Sequence, residues 1–111
     1  MICVPKDQLA QLNLGFDQSK DGELIELKLS DRQFYKLLNI GLFHRINLLI
    51  QSDIDDFEDE SINDVSKLRQ VIESRLFDRE FFDEETFEIA NKIRKLFIEA
   101  LNRKTEIHFY F

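Results

Sequence analysis

The sequence predicts an α+β domain, and three observations carry that reading. Two segments alternate apolar and polar residues with a period of two, several longer ones repeat apolar residues every three or four positions, and only 3 Gly and 1 Pro punctuate the chain. So few turn residues favour helices over a many-stranded sandwich. A length of 111 residues fits one domain with a single core, and 11 Phe argue against disorder although 33% of the chain is charged. The expected architecture is three or four helices packed on one face of a small sheet. That sheet includes residues 23–29 and the C-terminal strand 106–111, with Met1 to Val4 a further candidate strand.

Met1 to Val4 is short, apolar and rich in strand formers, and Pro5 can end a strand or occupy a first helical turn. Leu9, Leu12 and Phe16 follow at helical spacing, predicting a short helix over 5–13 closed by Gly15. Asp21-Gly22 then supplies a turn. In Glu23 to Leu29, Ile25, Leu27 and Leu29 share one face, as a strand with one buried side requires. Ser30 with Gln33 forms a capping box, so a helix begins at Asp31. Its apolar stripe is Phe34, Leu37, Leu38 and Leu42, continued by Ile46 and Leu49. Gly41 interrupts that stripe, giving two helical pieces or one bent helix across 31–51, with 43–50 central to the core.

Residues 52–60 read as an acidic loop, and Ser61 with Asp64 as the capped start of the next helix. Ile62, Val65, Leu68, Val71, Ile72 and Leu76 supply its periodic positions. Asp83 is the cap expected for the last helix, whose buried stripe runs through Phe87, Ala90, Ile93, Phe97 and Ala100. Glu84, Glu85 and Glu88 near its start and Arg103 and Lys104 at its end match the helix dipole. Ile107, Phe109 and Phe111 finally alternate with His108 and Tyr110 in a closing strand.

Several chemistries lack their residues. Cys3 is the only cysteine, which precludes an intrachain disulfide or a thiolate cluster and fits a small core residue with a distant histidine. An EF-hand fails at Phe57 and at Glu58, where the loop needs glycine. The glycines at 15, 22 and 41 form no phosphate loop, His44 reads as an interior imidazole, and no metal or cofactor set is called. The apolar runs, such as Met1 to Val4 and Leu48 to Ile50, fall far short of a membrane span, and no secretory leader is visible, so the expectation is cytoplasmic. A charge of −7 disfavours nucleic acid as a partner, and Lys92, Arg94, Lys95, Arg103 and Lys104 read as a solvated, internally paired helix face.

What remains is a concentration of charge. Between Gln51 and Glu88, 14 acidic side chains face 4 basic ones, a local −10, while the rest of the chain carries +3. The candidate partner-binding residues are the run Asp53, Asp55, Asp56, Phe57, Glu58, Asp59 and Glu60, and the run Asp78, Glu80, Phe81, Phe82, Glu84 and Glu85. Phe77 and Phe87 are expected to turn inward on helical stripes. Phe57, Phe81 and Phe82 sit among acids in weakly periodic segments, and an exposed ring amid charge suits a binding hot spot that steers a basic partner. In this character, carried by the two runs and their phenylalanines, the chain resembles the cognate immunity proteins that bacteria make against secreted toxins in contact-dependent inhibition, colicin and other polymorphic toxin systems. The resemblance implies a non-enzymatic protein that occludes a basic toxin domain, typically a nuclease. The alternative is a small acidic adaptor, a regulatory subunit or a phage DNA mimic using the same pattern.

Overall fold

The two alternating segments, residues 23–29 and 106–111, find their explanation in a shared sheet. A computed structural model describes residues 1–111 and places β1 (Ile2–Pro5), β2 (Leu24–Leu27), β3 (Asp59–Ile62) and β4 (Ile107–Tyr110) in one antiparallel sheet of order β2-β1-β4-β3. The terminal strands are therefore its centre. Met1 clamps them: its ammonium donates to the Tyr110 carbonyl at 2.7 Å, and the Tyr110 N–H donates to the Met1 carbonyl at 2.8 Å. Ile2, Val4, Ile62, Ile107 and Phe109 turn one way into the core. Glu26, Cys3, His108 and Ser61 lie in register across the four strands on the opposite face.

Five helices accompany the sheet: α1 (Gln8–Gly15), α2 (Asp31–Asn39), α3 (Leu42–Ile50), α4 (Val65–Glu73) and α5 (Glu84–Arg103). The α+β class stands, with α2 and α3 as separate pieces. Gly41 divides them at φ +84°, a left-handed conformation that glycine adopts without a Cβ penalty. The capping box of α2 is complete, since the Gln33 N–H donates to Ser30 Oγ at 3.1 Å and the Ser30 N–H donates to Gln33 Oε1 at 2.9 Å. Asp83 caps α5 by accepting from the Thr86 N–H at 2.8 Å.

Several expectations are corrected. Pro5 closes β1 opposite Leu24, so α1 starts later, at Gln8 under an Asp7 cap. Its apolar spacing does mark a helix, but Leu9, Leu12 and Phe16 face outward at 63%, 56% and 67% exposure and only Ala10 is buried. Periodicity identifies a face without saying which way it turns, and here Asn13, hydrogen-bonded to Glu23, and the close approach to β1 set the rotation. Asp59 and Glu60 belong to β3 rather than to a loop, and Asp64, accepting from the Ser66 and Lys67 N–H groups, caps α4 where Ser61 was expected. Ser61 is instead paired with β4 opposite His108.

The core joins α2, α3, α4 and α5 to one sheet face through 21 buried side chains. Phe43, Phe97 and Phe109 are wholly buried, and Phe34 and Phe111 close the cluster with ring centroids 4.4 Å apart. Phe77 is buried as expected, whereas Phe87 is only half-buried and lies outside this cluster. Thr86, which hydrogen-bonds Asp83, takes the inward position beside it. No helix is long and apolar enough to cross a membrane.

Candidate functional site

The stretch that leaves α3 is held by two residues at its root. Gln51 ends the helix in a left-handed conformation, and Ile54 then drops its side chain into the core at 2% exposure. Asn47, one turn back on α3, accepts from the Ile54 N–H at 2.9 Å and the Ser52 hydroxyl at 2.7 Å, while its amide donates to the Ile54 carbonyl at 2.9 Å. This staple satisfies backbone groups that a buried loop would otherwise leave unpaired. Ile54 was the readable sign of it, as the single aliphatic residue among acids. Asn47 carried no such sign.

Beyond the staple the chain presents acids. Asp53, Asp55, Phe57, Glu58 and Asp59 are exposed, and Asp56 and Glu60 are half-exposed. Glu60 folds back, accepting from the Asp53 N–H at 2.7 Å and the Ser61 N–H at 2.9 Å, and so ties the two ends of the loop together. Asp56 accepts from the Tyr35 hydroxyl at 2.8 Å, which raises the phenol above its usual range. A hydrogen bond to the Asp53 carboxyl, with the negative charge of Asp53, Asp55 and Glu60, pushes the Glu58 carboxyl upward. No ion pair in the structure reaches residues 53–60. At the centre of this unpaired charge Phe57 adopts φ +61°, and its side chain is 89% exposed. At the root of the loop a cleft of about 180 Å³ is lined by Leu38 of α2, His44 and Asn47 of α3, and Asp53, Ile54 and Asp55. His44, expected inside, is exposed there because α3 turns Phe43 and Ile46 to the core instead.

The second acidic run is built differently, because its charge is largely matched. Glu85 accepts from Arg32 and Lys36 at 2.8 Å each, Asp83 lies 3.9 Å from Lys36, and Asp78 holds Arg75 at 2.7 Å. Hydrogen bonding to Lys36 lowers the Glu85 carboxyl, and hydrogen bonds from Thr86 lower that of Asp83. Glu80 and Glu84 are exposed without such partners. Phe81 stacks on the Arg45 guanidinium at 4.7 Å, and Phe82 packs against the core and toward Phe87, which Arg79 covers at 4.8 Å. The two runs meet at α2, where Tyr35 bonds Asp56 and Arg32 and Lys36 bond Glu85. Residues 53–60 therefore form the charged, unpaired part of the candidate surface.

The fold also brings together residues that the sequence left apart. Cys3 pairs with His108 across adjacent strands, and His108 Nε2 lies 2.6 Å from Glu106 Oε1, too far out of line to make a regular hydrogen bond. Cys3 is completely buried, and desolvation together with Glu26 and Glu106 pushes its thiol to about 11. A thiol so placed stays protonated at neutral pH and is a poor nucleophile. Nowhere do three His, Cys, Asp or Glu side chains converge in metal-ligating geometry. Comparison with known proteins supplies no relative: no family model matches the chain, and no match is found among curated proteins or solved structures.

Proposed function

We propose that this chain is a non-enzymatic binding protein that docks onto a basic surface through residues 53–60, as an immunity protein occluding a cationic toxin domain, in particular a nuclease. The observation that carries the reading is Phe57: a residue 89% exposed on a left-handed backbone, flanked in sequence by carboxylates that form no ion pair within the chain. Such a cluster disfavours the free protein through self-repulsion, and a partner bringing Lys and Arg relieves it. The ring contributes apolar area that is desolvated only on contact, while the acids accelerate the encounter.

The test begins with capture of the partner from the native host by the immobilised chain and its identification by mass spectrometry. The expected partner is basic, its nuclease activity is blocked by the wild-type chain, and its association rate falls about tenfold or more between low and physiological salt. Phe57→Ala and the double replacement Asp55→Asn with Asp56→Asn should both weaken the complex. Salt-independent association, or undiminished affinity in these variants, overturns the proposal. A basic partner without toxin activity retains the docking surface and assigns the chain as an acidic adaptor.

A further inference from the structure

We infer that the free edge of the sheet at β2 is a self-association surface, on which a second copy of this chain lays its own β2 antiparallel to make one sheet continuous through both copies. The ladder fixes which backbone groups face outward. Met1 exchanges hydrogen bonds with Tyr110, so Met1 and Cys3 bond to β4 while Ile2 and Val4 bond to β2. The Lys6 N–H, donating to the Glu23 carbonyl at 2.9 Å, continues that order. On β2 the groups of Ile25 and Leu27 are therefore engaged by β1. Those of Leu24, Glu26 and, one residue past the strand, Lys28 point away from the sheet. β2 is an edge strand, Glu26 and Lys28 are exposed, and no hydrogen bond outside the β1 ladder reaches these outward groups. The opposite edge is closed by the chain itself. There the outward Ser61 N–H of β3 donates to the Glu60 carboxylate at 2.9 Å, and Asp59 and Glu60 would repel a second copy.

The side chains of this edge are complementary to themselves. With a two-fold axis through Leu27, the commonest symmetry of a homodimer, Glu26 of each copy stands opposite Lys28 of the other. These pairs fall at the positions whose backbone groups face outward, so each joins two ladder hydrogen bonds to an opposite-charge contact. Moving the axis to Glu26 sets that acid against its own copy, and the two repel. Charge thus selects the register. On the core side, Ile25, Leu27 and Leu29 pack against the hydrophobic cluster but remain only half-buried, because the sheet ends there. In the same register Leu27 meets Leu27 and Ile25 meets Leu29 of the second copy, which extends the apolar row across the axis. Residues 53–60 lead into β3, at the other edge of the sheet, so the dimer leaves the acidic loop free.

The test is sedimentation of the full chain from micromolar to millimolar concentration, with amide hydrogen exchange followed over the same range. Expected is a dimer that grows with concentration, together with slowed exchange of the Glu26 and Lys28 N–H groups and unchanged exchange at Ser61. Glu26→Lys alone, or Lys28→Glu alone, puts like charges opposite one another at both pairs and should weaken the dimer about tenfold or more. An equimolar mixture of these two variants restores opposite charges at both pairs and should dimerise as the wild type does. Phe57→Ala should leave dimerisation unchanged, so failure here is separable from failure of the acidic loop. A chain that stays monomeric at millimolar concentration overturns the inference and leaves Glu26 and Lys28 as guards of a solvated edge. A dimer that survives both single variants, or one that protects Ser61 instead of Glu26, overturns it as well. If a single variant does not fold, the exchange pattern of the wild-type chain still decides.

Discussion

Phe57 is a bulky residue held where the backbone favours glycine. A non-glycine residue in the left-handed region is disfavoured by about 1–2 kcal/mol, and the exposed ring recovers none of that by burial in the free chain. Replacement by glycine removes the steric penalty but adds chain entropy to the unfolded state, and the two effects nearly cancel. Phe57→Gly should therefore leave stability within about 1 kcal/mol of wild type in urea unfolding, or raise it, while partner affinity falls about tenfold or more. Parallel loss of stability and binding would show instead that the ring serves the fold. Asn47 is the converse case, a residue invisible in the sequence on which the loop's geometry depends. Asn47→Ala strips the Ile54 N–H and carbonyl of their partners and should destabilise the fold by about 1–3 kcal/mol. Hydrogen exchange at Ile54 should accelerate with it, and unchanged exchange there would remove Asn47 from this role.

At the scale of elements, what could be read in advance divides along a physical line. Local chemistry was legible: the Ser30–Gln33 box, the Asp83 cap and the break at Gly41 each depend on residues within one turn of one another. Tertiary choices were not. Asp-Glu-Ser-Ile has little strand propensity, and it forms β3 because β4 offers it a ladder from Ile62 opposite Ile107 to Asp59 opposite Tyr110. In the same way the apolar spacing of Leu9, Leu12 and Phe16 announced α1 but not that its apolar side would face solvent. The candidate loop itself was legible as charge, whereas the staple beneath it and the pairing of the second run were not, since both depend on α2 and α3. Gly41 gives the sharpest check at this scale. A Cβ there meets nothing closer than the Arg45 guanidinium at 3.8 Å, so Gly41→Ala tests conformation rather than crowding. It should destabilise by about 1 kcal/mol in chemical unfolding, and a neutral result would mean that the α2–α3 junction does not need the left-handed geometry.

For the whole molecule the −7 charge is less telling than how its two acidic regions respond to protons. Asp83 and Glu85 are held below the usual carboxylate range by Thr86, Lys36 and Arg32. Groups depressed in the folded state favour folding above their unfolded values, and that contribution disappears as pH falls through the folded ones. Glu58 is the opposite case, raised by its hydrogen bond to Asp53 and by the surrounding acids. Its contribution is complete below its unfolded value and is lost as pH rises through the folded one. Lowering the pH from neutrality should thus first relieve repulsion in the 53–60 loop and only afterwards release the second run from α2. The Glu58 contribution should therefore decline as pH rises above the ordinary glutamate value of about 4.3, and the Asp83 and Glu85 contributions should decline as pH falls below the ordinary carboxylate range. Because all three carboxylates are solvent-exposed, the profile should flatten in high salt. Glu58→Gln should remove the decline on the neutral side, and Lys36→Met the steepness on the acid side, in calorimetric scans across pH at fixed ionic strength. A wild-type profile rising steadily to neutral pH, untouched by Glu58→Gln, would show that the loop carboxylates do not crowd one another, and the driving force assigned to a basic partner would go with it.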